Sequence, residues 1–244
     1  MSDRQLERLR PLLPNKVRGV VRVDDRRVIS GIVHVLKSGG RWADAASAYG
    51  PRKTLYNRFV RWAAKGVWTD IFHALASAGG PPAEVLIDST AVRAHRCASG
   101  GKGERSQAIG RSRGGRTTKI HALTDAFCRP VAFLLTGGQV ADCTAADALL
   151  ERMPATAILH GDKGYNSDAL RRKIEAFGAV PNIPPKTNRR WKNCFSPSLY
   201  RDRNAIERMF GRIKDFRRIA TRYDRLAANF LAAVCLVATV CYWL

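Results

Sequence analysis

The chain has 244 residues, 45% of them hydrophobic and 25% charged. That balance excludes a disordered or collagen-like polymer and allows one large domain, or a small one joined to a larger. Lys and Arg number 42 against 20 Asp and Glu, a formal net charge of +22, and so large a positive field suits a polyanion whose condensed counterions it releases.

The charge is uneven. Residues 1–80 hold 15 Lys/Arg and 6 Asp/Glu, residues 81–185 hold 14 and 10, and residues 186–244 hold 13 and 4. An acid-rich centre between two basic flanks is the pattern of a chemical site served by nucleic-acid-binding segments. Cys97, Cys128, Cys143, Cys194, Cys235 and Cys241 form no Cys-x-x-Cys pair, so a zinc or redox motif is not expected and reduced cysteines in a cytoplasmic protein are. The start, MSDRQLERLR, lacks the apolar segment of a signal peptide. Residues 230–244 are an uncharged run of 15, short of the roughly 18–20 that span a bilayer. They are expected to form a buried helix, with no membrane role.

In chain order, residues 26–37 (RRVISGIVHVLK) space their apolar positions as a helix does, and Gly39-Gly40 stops it. Residues 42–49 (WADAASAY) read as a short second helix, broken at Gly50-Pro51. Residues 52–66 predict a third helix with Leu55, Phe59 and Trp62 on one face and Arg52, Lys53, Asn57, Arg58 and Arg61 on the other. Helix, short helix, turn and basic helix is the layout of a helix-turn-helix module, although a plain three-helix bundle with a solvated basic face gives the same pattern. A Gly-Pro linker at 78–82 follows.

The pattern then changes. AEVLIDST (83–90) reads as a buried strand with a polar tip, and the Gly/Arg-rich 96–118 as a loop without the spacing of a nucleotide-binding P-loop. Residues 119–125 and 129–138 predict two strands joined by a turn. Helix is expected at 142–153, strand at 156–165, helix at 167–178, strand at 179–185 and an amphipathic helix at 204–219. Strands mixed with helices imply an α/β layer fold.

Two of these strands end in acids, Asp88 and Asp162. A carboxylate closing a buried run sits at the sheet edge where ligands bind, and there it needs a cation or donors. Glu207 is the natural third. On a helix, Tyr200, Arg203, Glu207, Gly211 and Lys214 share a stripe beside the apolar arc of Ile206, Met209, Phe210, Ile213 and Phe216. Glu207 can be a metal ligand there, or a simple surface partner of Arg203 four residues back. Three carboxylates from separate elements would suit Mg²⁺ or Mn²⁺, and two such ions can drive phosphoryl transfer. His121 reads as a core histidine, and His160 as a residue able to brace the site.

The stretch YRDRNAIERMFGRIK (200–214) has the spacing Tyr, two residues, Arg, three residues, Glu, six residues, Lys. In this it resembles the DDE transposases of the bacterial insertion-sequence-five family. LIDST around Asp88, residues 107–123, GDKGY (161–165), IPPKTNRR (183–190), residues 217–232 and residues 50–68 are also similar to that family. One departure is SGGRWADAA (38–46), where a Cys-Pro-Trp-Arg-like sequence is expected.

The resemblance implies a ribonuclease-H-like catalytic domain, a mixed sheet flanked by helices, over 81–244 with a C-terminal apolar helix. An N-terminal all-α helix-turn-helix region that binds DNA would occupy 1–80. It implies Asp88, Asp162 and Glu207 as the catalytic metal-binding triad, with two Mg²⁺ (or Mn²⁺) per site. It also implies contact with DNA by Tyr200, Arg203 and Lys214. Lys163 is a further candidate for a phosphate. The basic segments holding Arg113, Lys119, Arg189 and Arg190 would track phosphates, and Arg52, Lys53, Asn57 and Arg58 would read the element ends. The expected partners are double-stranded DNA, as terminal inverted repeats and as target, and a second copy of the chain in a dimer or larger synaptic complex, in a bacterial cytoplasm at the nucleoid. The expected activity is metal-dependent cleavage at the element's ends and cut-and-paste transfer of the 3′-hydroxyl into target DNA.

Overall fold

The structure is a computed structural model. It describes residues 1–14, 22, 24–99, 107–188 and 190–244. These fall into two compact units. One comprises Met1–Leu75, His95–Gly103 and Arg212–Leu244, and the other Ala76–Ala94 and Glu104–Gly211.

The first unit is helical. Helix α1 (Asp3–Leu9) opens on a capping box, in which the Ser2 hydroxyl accepts from the Gln5 amide and the Gln5 side chain answers the Ser2 amide. Helix α2 (Asp25–Ser38) is capped by Asp24 and ends at Gly39 with a φ of 79°, a left-handed stop that glycine adopts without steric cost. The short helix expected over 42–49 is instead two 3₁₀ turns, Trp42–Asp44 and Ser47–Tyr49, separated by extended backbone at Ala45 and Ala46. In this arrangement Trp42 stacks on Phe59 at 5.1 Å.

Helix α3 (Arg52–Ala64) follows as expected. Helix α4 (Val67–Ser77) was not anticipated, although Trp68, Ile71, Phe72, Leu75 and Ala76 recur at helical spacing and are buried. The unit's core joins Val28, Ile29, Ile32, Leu36, Leu55, Phe59, Trp68 and Phe72.

The second unit is built on a sheet. Strand β1 (Glu84–Ala94) runs further than expected. Strands β2 (Gly110–Ser112) and β3 (Gly115–Asp125) occupy part of the segment read as a loop. Ser112 pairs with Gly115 across a two-residue turn, and Gly115 has a φ of 89°. That hairpin chemistry was hidden by the polar composition around it. Strand β4 (Pro130–Gly137) pairs antiparallel with β3, and β3 with β1. Strand β5 (Ile158–Gly161) lies parallel to β1, and β6 (Val180–Asn182) parallel to β5. The antiparallel strands β1, β2, β3 and β4, extended by the parallel β5 and β6, form the mixed sheet expected of a ribonuclease-H-like fold.

Helices α5 (Asp142–Leu150) and α6 (Asp168–Ala176) are the expected ones. Their Ala146, Leu149, Leu150, Leu170 and Ile174 pack with Val85, Ile87, Leu123 and Leu159 of the sheet. The predicted strand at 156–165 is cut short after Gly161, because the Asp162 carboxylate accepts from the Gly164 amide and starts a 3₁₀ turn, Lys163–Tyr165.

Beyond the sheet the backbone forms α7 (Pro197–Tyr200), a 3₁₀ turn (Arg201–Arg203), α8 (Asn204–Lys214) and α9 (Arg217–Ala220). The single helix expected over 204–219 therefore breaks after Lys214, and Phe216 takes the extended backbone that caps α9. In the first unit, α10 (Ala227–Ala238) and a terminal π-helical turn (Thr239–Trp243) make the expected buried C-terminal helix. Among the described residues no helix is long and apolar enough to cross a membrane, and all six cysteines are free.

Candidate acid site where two parallel strands stop pairing

Ile87 and Gly161 are the last residues that β1 and β5 pair in parallel, and Asp88 and Asp162 follow them directly. Asp88, expected to close its strand, instead lies inside β1, which runs on in pairing with β3, whereas Asp162 stands just past the end of β5. Equal rise along two parallel strands brings both carboxylates to the same level. A Cβ at Gly161 would stand 3.1 Å from the Ile87 side chain.

The third acid arrives through an arginine. Arg203 Nη1 donates to Asp88 Oδ2 at 3.1 Å, and its other terminal nitrogen donates to Glu207 Oε1. The Arg203 and Asp88 side chains are each 18% exposed, and Glu207 is 56% exposed. The Arg203 guanidinium also lies over the Tyr200 ring, 5.6 Å from its centroid. The pairing of Glu207 with Arg203 considered from sequence thus exists, but the same guanidinium holds Asp88. Tyr200, Arg203 and Glu207 meet here without sharing one regular helix, since Tyr200 ends α7 and Arg203 lies in the 3₁₀ turn before α8.

Burial pushes the Asp88 carboxyl up to about 6, and the charge of Asp162 adds to the effect. The Ser89 amide, 2.7 Å from Asp88 Oδ1, and the Arg203 guanidinium both oppose it. A carboxyl in this condition favours any cation brought to it.

Among the described residues, no three His, Cys, Asp or Glu side chains are placed to hold a metal ion. The donor set nevertheless fits Mg²⁺ or Mn²⁺. It is all carboxylate oxygen, and a guanidinium stands as a cation between two of the acids.

A second layer went unnoticed in the sequence. Asp142, the first residue of α5, accepts from Ser89 Oγ at 2.7 Å and from Lys119 Nζ at 3.0 Å. His121, 1% exposed, points Nδ1 at the same Asp142 oxygen from 3.8 Å and shares Nε2 with the Thr136 hydroxyl. Burial lowers the His121 pKa to about 4, so the ring is neutral in ordinary buffers. Tyr165 is 1% exposed, and its hydroxyl is buried beside Ser89. The one signal in the sequence was an acid opening the helix expected at 142–153, just after a strand.

His160, expected to brace the acids, bonds Glu84 and Asn182 instead. Lys163, Arg113 and Arg190 are exposed, whereas Lys119 is held by Asp142 and the Val140 carbonyl. Arg189 lies outside the described residues. Lys214 is the last residue of α8 and half-buried, and burial lowers its pKa.

In the first unit, Arg52, Lys53 and Asn57 are exposed on α3. Arg58 is half-buried, paired with Asp25 and stacked 4.9 Å from the centroid of Trp62. Arg22, Thr54, Asn57, Arg58, Arg61 and Trp62 line a cavity of about 330 Å³.

Comparison with known proteins agrees with this architecture. Residues 79–244 match the model of the "Transposase DDE domain", and residues 1–72 that of the "Putative transposase of IS4/5 family". A Brucella ovis protein, "Putative transposase for insertion sequence element IS6501", is 33% identical over 129 residues, covering 52% of this chain and 98% of that protein. A Burkholderia cepacia protein, "Putative transposase for insertion sequence element IS402", is 32% identical over 121 residues, covering 45% and 55% respectively. Among solved structures, the piggyBac transposase in a synaptic complex with hairpin DNA superposes with a TM-score of 0.53 at 10% identity, over 97% of this chain and 69% of that one. At that identity the likeness speaks for the fold.

Proposed function

The chain belongs to the DDE-domain transposases, and we propose that Asp88, Asp162 and Glu207 are the acids with which it cuts DNA at the ends of an insertion sequence and joins the freed 3′-hydroxyl to target DNA. The observation that carries this reading is the meeting of acids from β1 and α8 on one guanidinium, with Asp162, just past the end of β5, near enough for its charge to act on Asp88. Mg²⁺ or Mn²⁺ held there would supply Lewis-acid activation of the attacking oxygen and charge stabilisation of the leaving one.

The protein's own part is to hold, orient and neutralise. The sheet fixes Asp88 and Asp162 side by side. Glu207 approaches from a helix whose apolar face (Ala205, Ile206, Met209, Phe210) is buried, so its carboxylate can adjust while the backbone stays fixed. Arg203 keeps Asp88 and Glu207 from repelling each other and, on releasing them, is free to accept a DNA phosphate. Phosphoryl transfer of this kind needs no covalent protein intermediate, so no Ser or Tyr nucleophile is assigned.

The exposed Lys163, Arg113 and Arg190 would follow the phosphate backbone, and the exposed face of α3, with Asn57, would read the terminal repeats. Two DNA ends have to be brought together, so a dimer or larger assembly with double-stranded DNA is proposed.

The test is a strand-transfer assay with precut terminal-repeat DNA. Asp88→Ala, Asp162→Ala and Glu207→Ala should each abolish cleavage and joining while DNA binding persists. Full metal-dependent activity in Glu207→Ala would refute the site. Cleavage without a joined product in the unaltered protein would instead mark a nuclease of the same fold.

A further inference from the structure

The first turn of α5 touches the neighbours of both acids, Ser89 beside Asp88 and Gly164 in the turn of Asp162. Asp142 Oδ1 accepts the Ser89 hydroxyl at 2.7 Å, and the Ser89 amide in turn donates to Asp88 Oδ1 at 2.7 Å. The next residue, Cys143, donates its thiol to the Gly164 carbonyl at 2.7 Å, inside the 3₁₀ turn that Asp162 caps. Lys119 of β3 fixes the start of the helix by bonding Asp142 Oδ1 at 3.0 Å and the Val140 carbonyl at 2.8 Å. Two fully buried groups face this cluster. His121 Nδ1 has no hydrogen-bond partner and stands 3.8 Å from Asp142, and the Tyr165 hydroxyl lies beside Ser89 and feels the charges of Asp142, Asp88 and Asp162 together.

We infer that Asp142 is a positioning residue of the acid site: through Ser89 it sets the Asp88 carboxylate, and through the turn it begins it ties that carboxylate to the Asp162 tip. An acid used only as a helix cap would bond its own helix amides, since that is what an N-terminal acid stabilises. Asp142 takes its bonds from β1 and β3 instead. The two links from consecutive residues of one helix also explain how Asp162, which lies past the end of β5, keeps its register with Asp88 inside β1. Because it acts through Ser89, the effect of Asp142 should travel with the Ser89 hydroxyl and vanish where that hydroxyl is absent.

The inference rests on the proposed acid site, and the experiment separates the two. Mn²⁺ binding to the full, DNA-free chain is measured by electron paramagnetic resonance for Asp88→Ala, Ser89→Ala, Asp142→Ala, Asp142→Asn and the Ser89→Ala/Asp142→Ala pair, with urea unfolding alongside and kcat and KM for precut ends. Ser89→Ala and Asp142→Ala should each weaken Mn²⁺ binding about tenfold and lower kcat with little change in KM for DNA. The double variant should be no weaker than Asp142→Ala alone, the signature of one shared pathway. Asp142→Asn keeps an oxygen acceptor for Ser89 and should recover most of the affinity.

Unchanged Mn²⁺ affinity in Ser89→Ala and in folded Asp142→Ala, with Asp88→Ala defective, would overturn the positioning role alone. Additive losses in the double variant would overturn the Ser89 route. Unchanged affinity in Asp88→Ala would overturn the acid site itself. If Asp142→Ala fails to fold, Ser89→Ala and Asp142→Asn decide the matter without it.

Discussion

Replacing Asp88 by Asn should make the protein more stable and inactive at once. The Asp88 side chain is 18% exposed, and burial lifts its pKa from 3.8 to about 6. The folded state therefore holds the proton more tightly than the unfolded one. The stability this provides is complete below about pH 4 and is lost as pH rises through 6. Above that, the native state bears an ionised buried carboxylate at a cost of about 3 kcal/mol relative to the protonated group.

Asn removes that cost. Its oxygen can still accept from the Ser89 amide, while its amide nitrogen faces Arg203 and forfeits that bond, a loss of about 1 kcal/mol. The net expectation is a gain of about 2 kcal/mol at pH 8, shrinking to nothing or to a slight loss near pH 4. Urea unfolding of both proteins at pH 4 to 8 with a chelator present measures it. A difference that does not vary with pH, or Asp88→Asn less stable than the parent at pH 8, would refute the account of Asp88 as a buried and under-compensated acid.

Other expectations follow from the same geometry. Arg203→Met removes the guanidinium between Asp88 and Glu207. Without metal it should destabilise by about 1 kcal/mol, yet bind Mn²⁺ about tenfold more tightly in a titration without DNA, because no resident cation has to leave. Gly31→Ala puts a Cβ 2.6 Å from the Tyr49 Cβ, an overpacking that should cost about 1–3 kcal/mol in thermal or urea unfolding. Arg171 is 4% exposed and donates to the Asn166 side chain and to the Pro181 and Ile183 carbonyls. Arg171→Met should cost about 2–4 kcal/mol by leaving those acceptors buried without donors, and Lys should not rescue it, because a point charge cannot span two carbonyls as the fork does.

The sheet and the acids were legible in the sequence because burial leaves a simple mark. Val85, Leu86 and Ile87 before Asp88, and the short apolar run before Asp162, are strands buried on both faces, and a charge ending such a run stands out. The signature spacing from Tyr200 to Lys214 was legible for the same reason, although its regular stripe was not. Arg203 reaches both acids from a 3₁₀ turn, a local departure that periodicity cannot register. Helix α4 was hidden because the reading stopped at the Gly66 turn. Asp142 escaped because its role depends on residues 53 and 23 positions earlier, Ser89 and Lys119, and no local pattern encodes such a contact.

A chain with a net charge of +22 concentrates its acids where its own cations can reach them. Asp88 and Glu207 share Arg203, and Asp142 has Lys119. Asp162 turns to a backbone amide. Near neutral pH, four carboxylates against two cations leave the cluster short by about two positive charges, the amount one divalent ion carries. Release of Arg203 to a phosphate raises the shortfall to three, which favours the entry of further cation only once DNA is in place. Coupling of this kind would make metal and DNA binding mutually reinforcing, with DNA attracting the same arginine that metal would displace. It should show as tighter Mn²⁺ binding in the presence of duplex DNA carrying the element's end, and Arg203→Met should abolish that enhancement. If the variant retains the full enhancement, the coupling runs by another route.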